Sequence, residues 1–542
     1  MDLREPNPSI GPRISDLCYQ VQELVRELGS YEARDCSIEA LQVRDVLLAI
    51  ALQVREQSQL LRHNTDLKPE EVGLRARGLT AVTHELYERL TYVCSGTPLE
   101  TPYSTQLTLT YLSRLCIQKS RAQSPAKAGG QVVCAIEDKP ISLVVPSWPY
   151  SWGFDHLTRS LRNTLGPVLD PDGDLGAGKD RDKMLEILWE NLWQERRRER
   201  DEPVSQEEVR EPLPIPPLPS QLGVLSFPRL EGLDTLLLPI MAHELGHYID
   251  YCGCSPPDYL PHSRAESIKQ NVLIRRDQVV KVLARHGNTD WEAVVAMHRV
   301  CQGRAETCVR ELLADRLAVR MLGLGFFFAH SPALARLAPW PQTRITHSAY
   351  PGYAFRVHEV FGAFLEDESP LSTEALMGAC RKQGYPGDAS WLSAHMNSWA
   401  KLLDAANGAL AATPSTSKTR TVIDKDLDDS LVVPAINAAL PAIKDVADSL
   451  IANDDCAQIT PAVFDRVRML KESVPPVTDG DSLREIPEVL ASGWLYQLQY
   501  GYKEEDQRDA VELARQEKTK TCRLVQQALE SLESLSRCAS DG

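Results

Sequence analysis

Leu236-Leu-Leu-Pro-Ile-Met-Ala-His243-Glu244-Leu-Gly246-His247-Tyr-Ile-Asp250 is an apolar run that closes on a His-Glu-x-x-His motif. Residues four apart lie on one face of a helix, so the imidazoles of His243 and His247 can point at a single metal ion. Glu244 falls beside them, placed to act on water rather than to bind the ion. Gly246 leaves room beneath the pair. The chain holds 12 histidines, and a chance motif of this kind is then on the order of one per cent. Two hydrogen-bonded surface histidines are the plainer alternative, and the apolar helical setting argues against them.

A catalytic zinc takes three protein ligands and keeps a fourth position open, so one more ligand must come from another element. Arg310-Glu311-Leu-Leu-Ala-Asp315-Arg-Leu-Ala-Val-Arg-Met-Leu-Gly323 reads as a strong amphipathic helix. Glu311 and Asp315 are again four apart. One carboxylate can ligate while the next accepts the outer N–H of a ligand histidine and fixes its tautomer. The competing account of Asp315 is a charged face paired with Arg310 and Arg316. Glu306 is the rival ligand, but a five-residue step turns it well off the Glu311 face. The metal set expected is therefore His243, His247 and Glu311 around Zn2+, with Glu244 as general base.

Other constellations fall short. Asp170-Pro-Asp-Gly-Asp174 starts like a calcium loop, yet Leu175 stands where glycine is required and Arg181 where glutamate is required. Gly176-Ala-Gly-Lys179 lacks the spacing of a phosphate loop. Cys252-Gly-Cys254 follows the motif closely, and a helix cap at Gly253 with two packed thiols is the simpler account.

These two motifs together resemble the gluzincin metallopeptidases, in particular the HtpX-like and CAAX prenyl endopeptidase group. That group pairs a His-Glu-Leu-Gly-His helix with a later Glu-x-x-x-Asp helix, as His243 to His247 and Glu311 to Asp315 do here. It adds a downstream Thr-His-Pro…Arg-Ile segment, with which Ala349-Tyr350-Pro351-Gly-Tyr-Ala-Phe-Arg356-Val357 aligns without gaps. The resemblance implies an oxyanion donor at Tyr350, where the family has histidine, and an orienting or positively charged role for Arg356. His347 and Tyr353 could serve in place of Tyr350. The resemblance covers residues 220–360, and it departs from the group in having no membrane helices, which argues against a lipidated membrane substrate. Repressor-cleaving cytosolic metallopeptidases share the metal logic but bring their third ligand closer in sequence.

Outward from the motifs, residues 1–125 read as a helical domain. Its segments are Arg13–Leu28, Ser37–His63 with Leu41, Val46, Leu47, Ala51 and Val54 near a 3.6-residue period, and Pro69–Cys94. β-Branched runs follow at Gln131–Ile136 and Ile141–Val145, separated by Glu137-Asp138-Lys139-Pro140 as in a hairpin. Leu222–Phe227 is a third strand, expected as the edge that holds an extended peptide. An insertion at 165–220 carries a charged run from Glu195 to Glu211 and a stiff proline-rich connector from Pro212 to Pro219; it is placed to act as a lid. Residues 371–542 read as helical again, with long patterns at Val433–Ile451 and Ala510–Leu535. The domains expected are thus 1–125 helical, 126–370 metallopeptidase and 371–542 helical. The fold class expected is mostly α with an α+β, zincin-like catalytic core holding a small sheet.

Composition sets outer bounds. The 542 residues, 43% hydrophobic and 25% charged, are those of an ordinary multidomain globular protein. A net charge of −16 from 59 basic and 75 acidic side chains disfavours nucleic acid and anionic membrane as partners. No signal peptide or long apolar span is read, and the 13 scattered cysteines suit reduced thiols, so a cytoplasmic location is expected. The reading is a zinc endopeptidase acting on protein or peptide substrates, with room for a regulatory partner on the helical domains. A metal-stabilised binding or scaffold protein and a zinc amidase for small molecules are the alternatives.

Overall fold

The computed structural model describes residues 10–31, 38–63, 69–95, 141–147, 153–156, 222–228, 234–252, 268, 272–288, 290–337, 352–366, 371–412, 422–451, 456–478, 481–501 and 509–540. The chain divides into two compact units, one of Met1–Gln106 with Ala135–Arg229 and one of Leu107–Cys134 with Leu230–Gly542.

The first unit contains α1 (Ile10–Ser30), α2 (Ile38–His63), α3 (Pro69–Ser95) and the strands β1 (Ile141–Ser147), β2 (Gly153–His156) and β3 (Leu222–Pro228). Each helix packs on the other two. The seam is built from apolar residues three or four apart: Leu17, Val21, Leu24 and Leu28 meet Val43, Leu47, Ile50 and Val54, with Val82, Leu86 and Leu90 from α3. The strands form one sheet in the order β1-β3-β2, β1 parallel and β2 antiparallel to β3. Pro146 lacks an N–H and is tolerated because β1 lies at an edge. The central position of β3 corrects one expectation: both its edges are paired, so Leu222–Phe227 offers no free edge to a peptide. The expected strand at 131–136, the insertion at 165–220 with its lid, and the 125 boundary lie outside the described residues.

In the second unit a 3-10 turn (Thr235–Ile240) leads into α4 (Met241–Cys252), followed by α5 (Arg276–Arg285), α6 (Trp291–Leu337), α7 (Tyr353–Gly362), α8 (Thr373–Lys382) and α9 (Pro386–Ala412). The helices α10 (Val422–Leu427), α11 (Val433–Leu450), α12 (Val463–Lys471), α13 (Ile486–Tyr496) and α14 (Asp509–Ser540) complete it. Every element among its described residues is helical, and this overturns the expected fold class. The motif helices sit in an all-helical fold and not in an α+β zincin core. The strands precede the motif in sequence, which suggested a shared domain, but β1 packs on α2 and α3. Sequence adjacency carried that reading, and the tertiary contacts decide against it.

The hub of the unit is α6. Leu312 to Ala314, Leu317 to Leu322 and Phe326 to Ala329 are buried, and a helix buried all round belongs at a core. It is touched by α4, α5, α7, α11 and α13, so helices on both sides of residue 370 pack on one centre. Asp428–Leu450 is long and apolar enough to cross a membrane by length and composition. Its stripe Ile436, Ala439, Ile443, Ala447 and Leu450 is buried, and α11 packs on α6.

The run of α6 is not one straight rod. Gly323 interrupts it with φ +56° and ψ −134°, a conformation open to glycine and closed to residues with a Cβ. In an unbroken helix Asp315 and His330 would stand roughly 22 Å apart along the axis. Here His330 Nε2 lies 3.2 Å from Asp315 Oδ1, so the chain folds back at Gly323 into two arms. The turn is clamped from outside: Ala457 N donates to Arg320 O at 2.8 Å, and Arg320 Nε donates to Ile451 O at 2.8 Å.

Candidate metal centre

The site forms where α4 crosses the first arm of α6. A Cβ on Gly246 would stand 2.8 Å from both Cα and O of Ala314, closer than any side chain tolerates against backbone. Glycine therefore sets the helix separation, and that separation decides what the flanking side chains can reach. His243 and His247, on either side of Gly246, meet Glu311 and Asp315, on either side of Ala314.

His243 Nε2 lies 3.2 Å from Glu311 Oε2, and His247 Nε2 lies 3.4 Å from Glu311 Oε1. The two rings meet edge to face with centroids 4.7 Å apart. One donor atom from each of His243, His247 and Glu311 falls within 4.8 Å of the others, and the group could hold a metal ion. Bonds of about 2.0–2.1 Å in a tetrahedral site place ligand atoms roughly 3.3 Å from one another. The two nitrogens approach the carboxylate at about that separation, each through a different oxygen, and two imidazoles with one carboxylate are a donor set that could hold a divalent ion.

The other nitrogen of His243 is spoken for. Nδ1 lies 2.8 Å from Asp315 Oδ1, the arrangement that turns Nε2 toward a metal. Asp315 is fixed in turn by Arg356 on α7, whose Nε donates to Oδ2 at 2.7 Å and whose Nη2 donates to Oδ1 at 2.8 Å. The third nitrogen, Nη1, is 3.4 Å from Glu311 Oε2. Arg356 Nη2 is nearly equidistant from both ring nitrogens of His243, at 3.3 and 3.4 Å, which sets it toward the ring face rather than along either lone pair.

Electrostatics follow from burial and these contacts. Burial alone would lower the pKa of His243, but the Asp315 carboxylate and the hydrogen bond to Glu311 raise it to about 10. In the absence of a metal the two carboxylates therefore favour the protonated ring. Burial would raise Glu311, yet hydrogen bonds from His243 and His247 and the charge of Arg356 hold it well below the usual carboxylate range. Asp315 is held low in the same way, burial being outweighed chiefly by Arg356. His330, with its side chain 3% exposed, is pushed down to about 4 by burial against the opposing pull of Asp315.

The structure thus brings together His243, His247, Glu311 and Arg356, with Glu244 buried in the first turn of α4. Tyr350 and His347 lie outside the described residues, as does Cys254. Glu306 is not in the cluster and accepts a hydrogen bond from Gln302 Nε2 at 2.9 Å. Arg316, offered by the sequence as a partner for Asp315, instead donates to Glu366 at 2.8 and 3.0 Å. His330 is the residue that sequence reasoning missed. A lone histidine in an apolar helix gives no signal of its own, and only the turn at Gly323 carries it to Asp315.

Comparison of the chain with family models, curated proteins and solved structures found no match.

Proposed function

We propose that the protein is a zinc-dependent endopeptidase acting on protein substrates. The reading rests on one observation: His243 Nε2, His247 Nε2 and the Glu311 carboxylate converge while His243 Nδ1 is turned to Asp315. A zinc ion held there would supply Lewis acidity, polarising a carbonyl and acidifying water. The rest falls to the chain's own groups. Glu244 takes a proton from water and passes it to the leaving amine. Arg356 adds positive charge on the side of Glu311, and the resemblance assigns Tyr350 the second donor to the carbonyl oxygen.

Purified protein should carry about one zinc per chain, and His243→Ala, His247→Ala and Glu311→Ala should each deplete it. Glu244→Gln should keep the metal and the fold while losing peptide hydrolysis, because an amide cannot take the proton. Turnover retained in that variant would remove the mechanism.

A second reading has an observation of its own. His243, Glu244 and Glu311 are only 6–8% exposed, as in a closed site that stabilises a binding protein. A structural site has no use for Glu244. Wild-type protein that holds zinc, yet yields no new N-termini relative to Glu244→Gln when a cell's proteins are profiled, would favour it.

A further inference from the structure

The metal-centre reading leaves one buried group without a role. His330 stands on the second arm of α6, and neither of its ring nitrogens has a hydrogen-bond partner. Leaving a buried polar group unsatisfied forfeits its hydration without return, and native structures rarely carry such a group without reason. Packing does not supply the reason. The ring stacks on Phe326 at 4.7 Å and 21° and continues toward His243 at 6.0 Å and 24°, a column that a phenyl ring would fill as well.

Asp315 does supply one. His330 Nε2 is 3.2 Å from Asp315 Oδ1, near enough to bond but not aligned with it. That same oxygen takes His243 Nδ1 and Arg356 Nη2, each at 2.8 Å. Arg356 holds the carboxylate from one side, and His330 is the polar group facing Oδ1 from the returning arm. A small rotation of the ring converts the 3.2 Å approach into a donated hydrogen bond. An uncharged donor suits this position, because a third positive charge beside Arg356 would oppose a cation on His243.

We propose that His330 is a positioning residue of the metal centre, donating from Nε2 to Asp315 so that Asp315 keeps His243 in the tautomer whose Nε2 faces the ion. This rests on the metal-centre reading. The chain of command is His330 to Asp315 to His243, and removing such outer partners typically weakens metal binding by about 10- to 100-fold.

The test is zinc affinity, measured on the full chain by competition with a chelating dye, beside the melting temperature of the metal-free protein. His330→Phe keeps the stack and deletes the donor. It should bind zinc roughly 10-fold or more weakly, with a metal-free melting temperature no lower than wild type. His330→Gln places an amide N–H near the Nε2 position and should recover most of the affinity, whereas His330→Asn, which mimics Nδ1, should not. Wild-type affinity in His330→Phe overturns the inference. So does equal affinity of the Gln and Asn variants, a comparison that holds even if the Phe variant does not fold. Absence of zinc binding by wild type would overturn the metal centre itself, and this inference with it.

Discussion

Asp315 acts on the proposed metal site through His243, whose Nδ1 it holds at 2.8 Å. In metal-free protein the folded-state pKa of His243 is raised to about 10 from an ordinary 6.5: burial opposes the rise, and the carboxylates outweigh it. The folded chain therefore holds a proton that the unfolded chain releases above pH ~6.5. The stability this confers is complete below ~6.5 and fades as pH climbs toward 10. Urea midpoints of chelator-treated protein should fall between pH 7 and 8.5, and His243→Gln should abolish the part of the fall due to this residue. Identical slopes in the two proteins would refute the assignment. Asp315→Asn should weaken zinc binding about 10- to 100-fold, since its amide would turn a donor toward Arg356 or His243. Arg356→Ala should cost about 3–5 kcal/mol of stability by leaving a buried carboxylate uncompensated, and combining it with Asp315→Asn should recover part of that loss.

At the scale of elements, two glycines decide the geometry by different means. Gly246 is required for space, and its Cβ would meet the backbone of Ala314. Gly323 is required for its backbone conformation, φ +56° and ψ −134°, while its surroundings at 3.4 Å are ordinary contacts. Gly246→Ala should push α4 from α6 and weaken zinc binding. Gly323→Ala should cost about 1–3 kcal/mol and also disturb zinc binding, by shifting His330 away from Asp315. Thermal shifts with and without zinc check both, and an unchanged zinc-induced shift in either variant would contradict the account. The two glycines also show what the sequence could reveal. Gly246 was legible as space beneath two histidines because the His-Glu-x-x-His spacing is local. The same local spacing exposed Glu311 and Asp315. Gly323 ends the amphipathic run that begins at Arg310, but apolar residues continue through Phe328, and nothing local says whether the chain bends or turns back. The strands at Ile141 and Leu222 were legible, but their place outside the motif-bearing unit was not: β-branched runs do not announce which helices they will pack against.

Across the second unit, the C-terminal helices hold the entry to α4, the helix that carries His243 and His247. Trp494 on α13 donates from Nε1 to Leu236 O at 2.7 Å, in the turn that feeds α4. A Cβ on Gly493 would stand 2.6 Å from Leu236 Cδ2, so α13 is pressed against that turn. On α14, Lys518 pairs with Asp234, and Cys522 Sγ donates to Asp234 Oδ1 at 3.4 Å. The turn sets where α4 begins, and the start of α4 sets the angle at which His243 faces Glu311. Residues more than two hundred positions downstream thus belong to the support of the site. Trp494→Phe keeps most of the ring and removes the donor. It leaves the carbonyl of Leu236, a fully buried residue, without that partner, at about 1–3 kcal/mol. A lower melting temperature should follow, together with weaker zinc binding, although position 494 supplies no ligand. Trp399→Phe is the matched control: its indole donates to His395 Nε2 at 3.2 Å, away from the turn, so it should lower stability and leave zinc affinity alone. If Trp494→Phe loses stability but binds zinc like wild type, α4 is positioned by its contact with α6 alone.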